Sequence, residues 1–165
     1  MTGTNQSGMT WLIFALMTVA AWGLYGVFLH KGQVQMEDPV NGRYKAFLFV
    51  GIAYFLTAVL APLALLLVAK ASWTFPPGGM TWSLLAGIVG AIGAFCVLLA
   101  FGAAPKPTHT YVPVIMSIIF AGAPIVNAVV AVSMAHKKPD LSVPFIAGIL
   151  LAAAGGCLVT LYKPS

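Results

Sequence analysis

The sequence predicts an all-α integral membrane protein with five transmembrane helices. Hydrophobic residues make up 61% of the 165 residues and charged residues only 7%, whereas soluble domains contain about 25% charged residues. Mean hydropathy is +0.99. The apolar residues form five runs, each long enough to cross a hydrocarbon core of about 30 Å as a helix. The predicted spans are 11–29, 46–69, 80–104, 111–135 and 143–162, within a single membrane domain covering residues 1–165.

The charged residues exclude several classes of function. Eight Lys and Arg against three Asp and Glu leave a net charge of +5, but the basic residues are scattered singly, so nucleic acid is not an expected partner. The sequence contains no paired nucleophile and base, no metal-ligand cluster and no phosphate-binding loop, and we therefore expect neither an enzyme nor a cofactor. Cys96 and Cys157 lie within spans, where they are expected to be small packing residues.

The first span carries an aromatic pair in mid-helix. No Lys or Arg precedes it, so we expect a retained helix and not a cleaved leader. Trp22 and Tyr25 share a helical face, and both have a polar group that needs a hydrogen-bond partner or a cavity within the membrane. They are candidates for a ligand-facing role, although large aromatics filling a bundle core would give the same pattern. A charged loop, 32–45, is predicted to follow.

Small residues recur on the third and fifth spans. At this spacing they allow another helix to approach closely, so we predict helix-packing faces on both spans. The residues are Gly87, Gly90 and Gly93 on the third span and Gly148, Ala152, Gly155 and Gly156 on the fifth. The loop 70–79 between the second and third spans contains Pro76, Pro77 and paired glycines, a composition typical of a turn and a helix stop.

The fourth span contains residues that free or add polar groups where lipid cannot satisfy them. Spacings of four and three place six residues on one face: Pro113, Ser117, Phe120, Pro124, Asn127 and Ala131. We predict that Ser117, Pro124 and Asn127 line a substrate path together with Trp22 and Tyr25 of the first span and Tyr54 of the second. The alternative is that these are kink and packing residues in an ordinary bundle.

The basic residues of the loops bear on orientation. Five spans place the two termini on opposite sides of the membrane. The amino-terminal side has three basic residues, Lys70, Lys137 and Lys138, and the other side has five: Lys31, Arg43, Lys45, Lys106 and Lys163. This difference favours an outside amino terminus, or insertion in both orientations.

Several segments resemble the EamA-like repeat of the drug/metabolite transporter superfamily. ALMTVAAWGLYGVFLHKG (15–32) resembles its first helix, Arg43 falls where the repeat has an arginine entering its second helix, and LLAFGAAP (98–105) is similar to the end of its third. AGAPIVNAVVAVSM (121–134) resembles its proline-containing fourth helix and DLSVPFIAGILLAAAGGCLV (140–159) its closing helix. Ala135 and His136 stand where the family has Gly-Glu.

The resemblance implies a multi-pass protein of the inner or plasma membrane with a small-molecule substrate. Members of this family carry two such repeats in opposite orientation, so this chain, with one repeat, is expected to form a homodimer in the lipid bilayer. All three acids lie in loops, which disfavours coupling to protons or sodium through a carboxylate and favours a neutral or zwitterionic metabolite. A different interpretation is an accessory subunit that uses its glycine faces to dock onto other membrane subunits.

Overall fold

The regular secondary structure is entirely helical within the residues described by the computed structural model, 9–135 and 142–162. The elements are α1 (Thr10–Gln35), α2 (Gly42–Phe55), a π-helical turn (Leu56–Leu60), α3 (Ala61–Val68), α4 (Pro77–Ala103), a 3-10 turn (Thr108–Thr110), α5 (Tyr111–Met134) and α6 (Val143–Leu161).

Within the described residues, five helical segments are long and apolar enough to cross a membrane, which confirms the predicted number. They are Thr10–Gln35, Gly42–Val68, Pro77–Ala103, Thr108–Met134 and Val143–Leu161. Pro144 lies in the first turn of α6, where its missing amide hydrogen leaves no bond unmade. Which membrane the protein occupies and whether it adopts the EamA-like fold stay predictions.

The predicted loop 32–45 is wrong in extent, because α1 continues to Gln35 and α2 already begins at Gly42. Nothing between Gly32 and Gln35 breaks a helix, and the break comes at Glu37, whose φ of 52° is left-handed. Asp38 then organises the turn. Its Oδ1 accepts hydrogen bonds from the amides of Asn41 (2.8 Å) and Val40 (3.0 Å), and its Oδ2 lies 2.7 Å from Lys45 Nζ.

These contacts keep the Asp38 carboxylate ionised. The hydrogen bond from the Asn41 amide, followed by the one from the Lys45 side chain, lowers the pKa of Asp38 from 3.8 to about 2. The turn between α1 and α2 is therefore held by a negative charge that already has its counter-charge in Lys45.

The start of α4 also differs from the sequence prediction. The turn 70–79 ends early, since Pro77 is the first helical residue and Gly78 and Gly79 continue the helix. Proline is suited to the first helical position because its φ is already helical and its missing N–H would be unpaired there in any case. Thr81 adds a hydrogen bond from its Oγ1 to the Pro77 carbonyl, 2.9 Å.

The second span is interrupted by the π-helical turn Leu56–Leu60. Pro62 is the second residue after this turn. In a regular α-helix its ring would clash with the carbonyl of the residue four positions earlier, Ala58. A wider turn ahead of the proline relieves that clash, as π-bulges inside helices do. Thr57 Oγ1 donates to the Ala53 carbonyl within the turn, 2.8 Å.

The described chain divides into two compact units, with the boundary inside α1. One unit is Phe28–Ala103. Two phenylalanines of this unit, Phe47 of α2 and Phe95 of α4, lie 5.4 Å apart between ring centroids. The buried hydrophobic residues of this unit are Leu29, Ala46, Ala94, Val97, Leu98 and Phe101.

The other unit contains the described residues up to 27 and from 104 onward. α1 meets α5 where a Cβ added to Gly26 would lie 2.8 Å from Met116 Cγ, and α5 meets α6 where a Cβ on Gly156 would lie 2.6 Å from Ala121 Cβ. Neither position tolerates a side chain without movement of its neighbour. Two glycines therefore allow the helix contacts of this unit.

Five of the predicted packing glycines are open within the described part of the chain. A Cβ added to Gly87, Gly90, Gly93, Gly148 or Gly155 would meet nothing within 4 Å. Ala152 is also exposed. Contact at these faces stays a prediction that now concerns other chains, whereas the intrachain contact on α6 is made by Gly156, the last residue of the predicted stripe.

Five spans predict that the termini of each molecule lie on opposite sides of the membrane. Gly3→Cys and Ser165→Cys, each in a background with Cys96 and Cys157 replaced by serine, are expected to react with impermeant maleimide from opposite faces. Insertion in both orientations would give partial labelling of each position from both faces. Labelling of both positions from one face alone would contradict an odd number of spans.

The glycine geometry predicts different outcomes for two matched substitutions on α6. Gly156→Leu should destabilise the folded protein by about 1–3 kcal/mol, because overpacking a tight contact has a cost of that order. Gly148→Leu adds the same side chain to open space and should leave unfolding unchanged while weakening any association through that face. Thermal unfolding and size-exclusion chromatography in mild detergent measure both, and equal destabilisation by the two variants would contradict the assignment.

Candidate functional site

Most of the predicted path residues belong to one of the two units. Trp22, Tyr25, Ser117, Pro124 and Asn127 lie on α1 and α5 in the unit that also contains α6. Tyr54 lies on α2 in the other unit, two residues before the π-helical turn, and is 40% exposed. Its membership of a common path with the other five stays a prediction.

Three aromatic rings of α1 and α5 form a contiguous cluster. Trp22 and Tyr25 are three residues apart on one face of α1, and their ring centroids are 5.5 Å apart. The Trp22 ring also meets Phe120 of α5 edge to face, with centroids 6.4 Å apart and an interplanar angle of 87°. Both distances lie in the range where aromatic rings attract each other. We call Trp22, Tyr25 and Phe120 the aromatic cluster.

The aromatic cluster has a covered and an open side. The Tyr25 hydroxyl oxygen is buried, whereas Trp22 is 36% and Phe120 41% exposed. The neighbouring contact of Gly26 with Met116 brings α1 and α5 close enough for the rings to meet. A ligand reaching this cluster from the open side would contact the Trp22 and Phe120 rings.

Pro124 adds a polar group beside these rings. α5 continues through Pro124, which has no amide hydrogen to donate to the carbonyl of Phe120 four residues earlier. The helical hydrogen-bond ladder therefore lacks one bond at the residue that carries the Phe120 ring. An acceptor in this position, beside aromatic rings, suits an uncharged hydrogen-bond donor on a solute.

Ser117 and Asn127 lie on either side of this point. Ser117, one turn before Phe120, is partly buried, and its carbonyl oxygen is 3.5 Å from the position of a Cβ on Gly156 of α6. Asn127 is exposed, two turns beyond Phe120 or about 10 Å along α5. The aromatic part of the predicted pocket, at Phe120, therefore lies where α1 and α5 meet. The amide of Asn127, at its other end, lies on the surface of the described chain.

A groove that the sequence did not predict lies between α5 and α6. It has a volume of about 420 Å³, and its lining is almost wholly apolar. It includes Gly122, Gly156 and Thr160, with the Thr160 hydroxyl donating to the Gly156 carbonyl, 2.9 Å. The signal was the Gly155-Gly156 pair, but only the rotation of α6 about its axis decides which glycine meets α5.

The cysteines and the possible metal ligands of the described residues add no groups to the aromatic cluster or the groove. Cys96 and Cys157 are free thiols, both exposed in the described chain, so the packing role expected of them is not seen within it and stays a prediction for other chains. Among the residues that are described, none form a group of His, Cys, Asp and Glu able to hold a metal ion.

No known protein family, curated protein or solved structure matches this sequence. Nothing from these comparisons bears on the resemblance to the EamA-like repeat, which rests on the quoted segments alone.

The aromatic cluster predicts a measurable coupling between α1 and α5. In a double-mutant cycle, Trp22→Leu and Phe120→Leu should show an interaction free energy of about 0.5–1.5 kcal/mol, the usual range for an aromatic pair beyond its buried area. Unfolding in detergent measures it. A control cycle of Trp22→Leu with Val126→Ala, an exposed residue of α5, should give no coupling, and additive effects in the first cycle would contradict the cluster.

Proposed function

We propose that this chain is a small-molecule membrane transporter built from a single EamA-like repeat, which passes a neutral or zwitterionic metabolite as a homodimer. The observation that carries the proposal is the aromatic cluster on α1 and α5, with its open side and with the interrupted hydrogen-bond ladder of Pro124 beside it. Aromatic walls with a small number of polar groups are typical of pockets for small uncharged molecules.

The distribution of charge supports an uncharged or zwitterionic solute. Both acids in the described part of the chain, Glu37 and Asp38, lie in the turn between α1 and α2. Intramembrane carboxylates are the usual carriers of proton and sodium coupling. A path without them favours passage of a neutral metabolite down its gradient.

The position of Asn127 supports the homodimer. Its amide is exposed within a long apolar helix, seven residues before its end, and a polar group facing lipid has no partner for its hydrogen bonds. A second copy, or a wet path enclosed by two copies, would supply that partner. In the transporter hypothesis this amide completes a path that a single chain leaves open on one side.

A second candidate, an accessory subunit of a larger membrane complex, is favoured by a different observation. Gly87, Gly90 and Gly93 lie on α4, and a Cβ on any of them meets open space. Small residues exposed along a spanning helix are typical of interfaces with other helices. Purification in mild detergent separates the candidates, because the transporter should appear as a dimer alone and the subunit should co-purify with other chains in fixed stoichiometry.

Asn127→Ala tests the transporter function. If Asn127 contacts solute, proteoliposomes containing the variant should lose most uptake or counterflow, measured over a panel of radiolabelled neutral and zwitterionic metabolites. The melting temperature should not change, because the side chain is exposed in the chain itself. Val126→Ala, at the exposed neighbouring residue, serves as the control and should retain transport.

Two results would contradict this assignment. A lower melting temperature with full transport would make Asn127 a packing residue between chains, where interhelical hydrogen bonds contribute about 0.6–2 kcal/mol. Absence of transport of every panel member by the wild-type protein, together with fixed co-purifying partners, would favour the accessory subunit.

A further inference from the structure

Arg43, at the start of α2, has no carboxylate as an ion-pair partner among the described residues. Of the acids in the described residues, Asp38 pairs with Lys45 at 2.7 Å, and no carboxylate oxygen of the described chain lies within 4.0 Å of the Arg43 guanidinium. Arg43 is partly buried, at the second residue of α2. A partly buried cation is expected to have an anionic or hydrogen-bonding partner.

Packing determines where this guanidinium lies. Arg43 Nη1 is 2.6 Å, and its Cδ 3.3 Å, from the position that a Cβ on Gly102 would occupy near the end of α4. On α2 itself, Arg43 Cζ is 5.1 Å from the centroid of the Tyr44 ring. The Tyr44 ring in turn stacks on Phe95 of α4, with centroids 6.3 Å apart. The side chain therefore lies along α4 in a site that exists because residue 102 has no side chain.

A second donor lies at the same end of the unit. The Gln33 amide nitrogen is buried and has no hydrogen-bond partner among the described residues. The Gln33 backbone carbonyl oxygen is 3.0 Å from the position of a Cβ on Gly42, the residue before Arg43. The end of α1 thus packs on the start of α2, at the residue that precedes Arg43 in the chain. A buried amide donor without an acceptor is unfavourable, so an acceptor is expected here.

The surroundings suit an anion at the depth of lipid headgroups. Arg43 lies at the beginning of the span Gly42–Val68, in the first turn of α2, where the helix dipole adds positive potential. Asp38, the nearest acid along the chain, already has Lys45 and two backbone amides as partners. The Arg43 guanidinium and the Gln33 amide nitrogen are both donors, and an arginine fork matches the oxygens of a phosphate group.

We propose that Arg43 and Gln33 bind a phosphate group, from the headgroup of an anionic lipid or from a soluble phosphorylated molecule, in a site whose wall is Gly102. Arg43 makes the charged contact and Gln33 donates a neutral hydrogen bond. Gly102 is a positioning residue, because a side chain there displaces the guanidinium. The site does not depend on the transport function, since its residues are separate from the aromatic cluster.

Binding to the purified full-length chain tests the site, with one arm for each source of phosphate. In the lipid arm, nanodiscs of neutral phosphatidylcholine are compared with nanodiscs that also contain phosphatidylglycerol. In the soluble arm, inorganic phosphate is titrated into the neutral nanodiscs. The melting temperature is measured in both, because a ligand that binds only the folded state raises it.

The wild-type protein should be stabilised in at least one arm, and Arg43→Gln should weaken the apparent affinity there by about tenfold or more. Gly102→Ala should weaken it as well, with Arg43 still present, which a role of Arg43 as a mere surface charge does not predict. Lys31→Gln is the control for loss of one positive charge, at an exposed lysine of α1, and should bind as the wild type does.

Stabilisation by phosphatidylglycerol alone assigns the site to a lipid, and stabilisation by phosphate alone assigns it to a soluble ligand. If Arg43→Gln does not fold, Gln33→Leu replaces it, and this variant should bind more weakly while melting no lower in neutral lipid. No stabilisation of the wild type in either arm, or equal losses in Arg43→Gln and Lys31→Gln, would overturn the proposal.

Discussion

Close approach of backbones at glycine is the interaction on which the helix packing of this chain depends. In a bilayer, apolar side chains gain little by leaving lipid for protein, so helices associate mainly through van der Waals contact and hydrogen bonds. Gly26 lets the Met116 side chain approach α1, and Gly156 lets Ala121 approach α6. Gly42 lets the Gln33 carbonyl approach the start of α2. These contacts place the aromatic cluster in one unit and the Arg43 site in the other. Gly87, Gly90 and Gly148 would meet nothing within 4 Å, so glycine content alone does not locate packing.

Polar groups follow a complementary rule, since each must find a partner where water is scarce. The turn between α1 and α2 solves this locally, with Asp38 taking two amides and Lys45. Threonine hydroxyls within the helices solve it through carbonyls one turn earlier, as at Thr18 and Thr160. Arg43, Gln33 and Asn127 are the cases that the described chain does not resolve in this way. Their positions therefore indicate where ligands, lipids or other chains are needed.

The number of spans could be predicted because it depends only on run length and hydropathy, which are local properties of the sequence. The end of α1 and the start of α4 could not, because charges and glycines were taken as signs of a loop. Gln33 to Gln35 continue the helix until the left-handed Glu37, and Pro77 starts a helix in which Gly78 and Gly79 remain helical. Polarity marks where water is reached, whereas helix ends depend on backbone geometry, and the two differ by six residues at the end of α1 and by three at the start of α4.

The candidate site was predictable to the level of helix faces and no further. Trp22, Tyr25 and Phe120 were each placed on a face by spacing, and the rings do meet, but spacing gives no information on how one helix is rotated against another. This is why Gly155 and Gly156 were both predicted to pack and only Gly156 does so in the described chain, and why Asn127 was expected to turn toward the rings but is exposed.

The Arg43 site depends on the same two constraints within its own unit. Gly42 lets the last turn of α1 reach the start of α2, and Gly102 leaves room for the guanidinium along α4. A phosphate bound by Gln33 and Arg43 would link the last turn of α1 to the first turn of α2, because both side chains donate hydrogen bonds and the phosphate oxygens accept them. Close approach at glycine would thus create the space, and the unpaired donors would select the ligand.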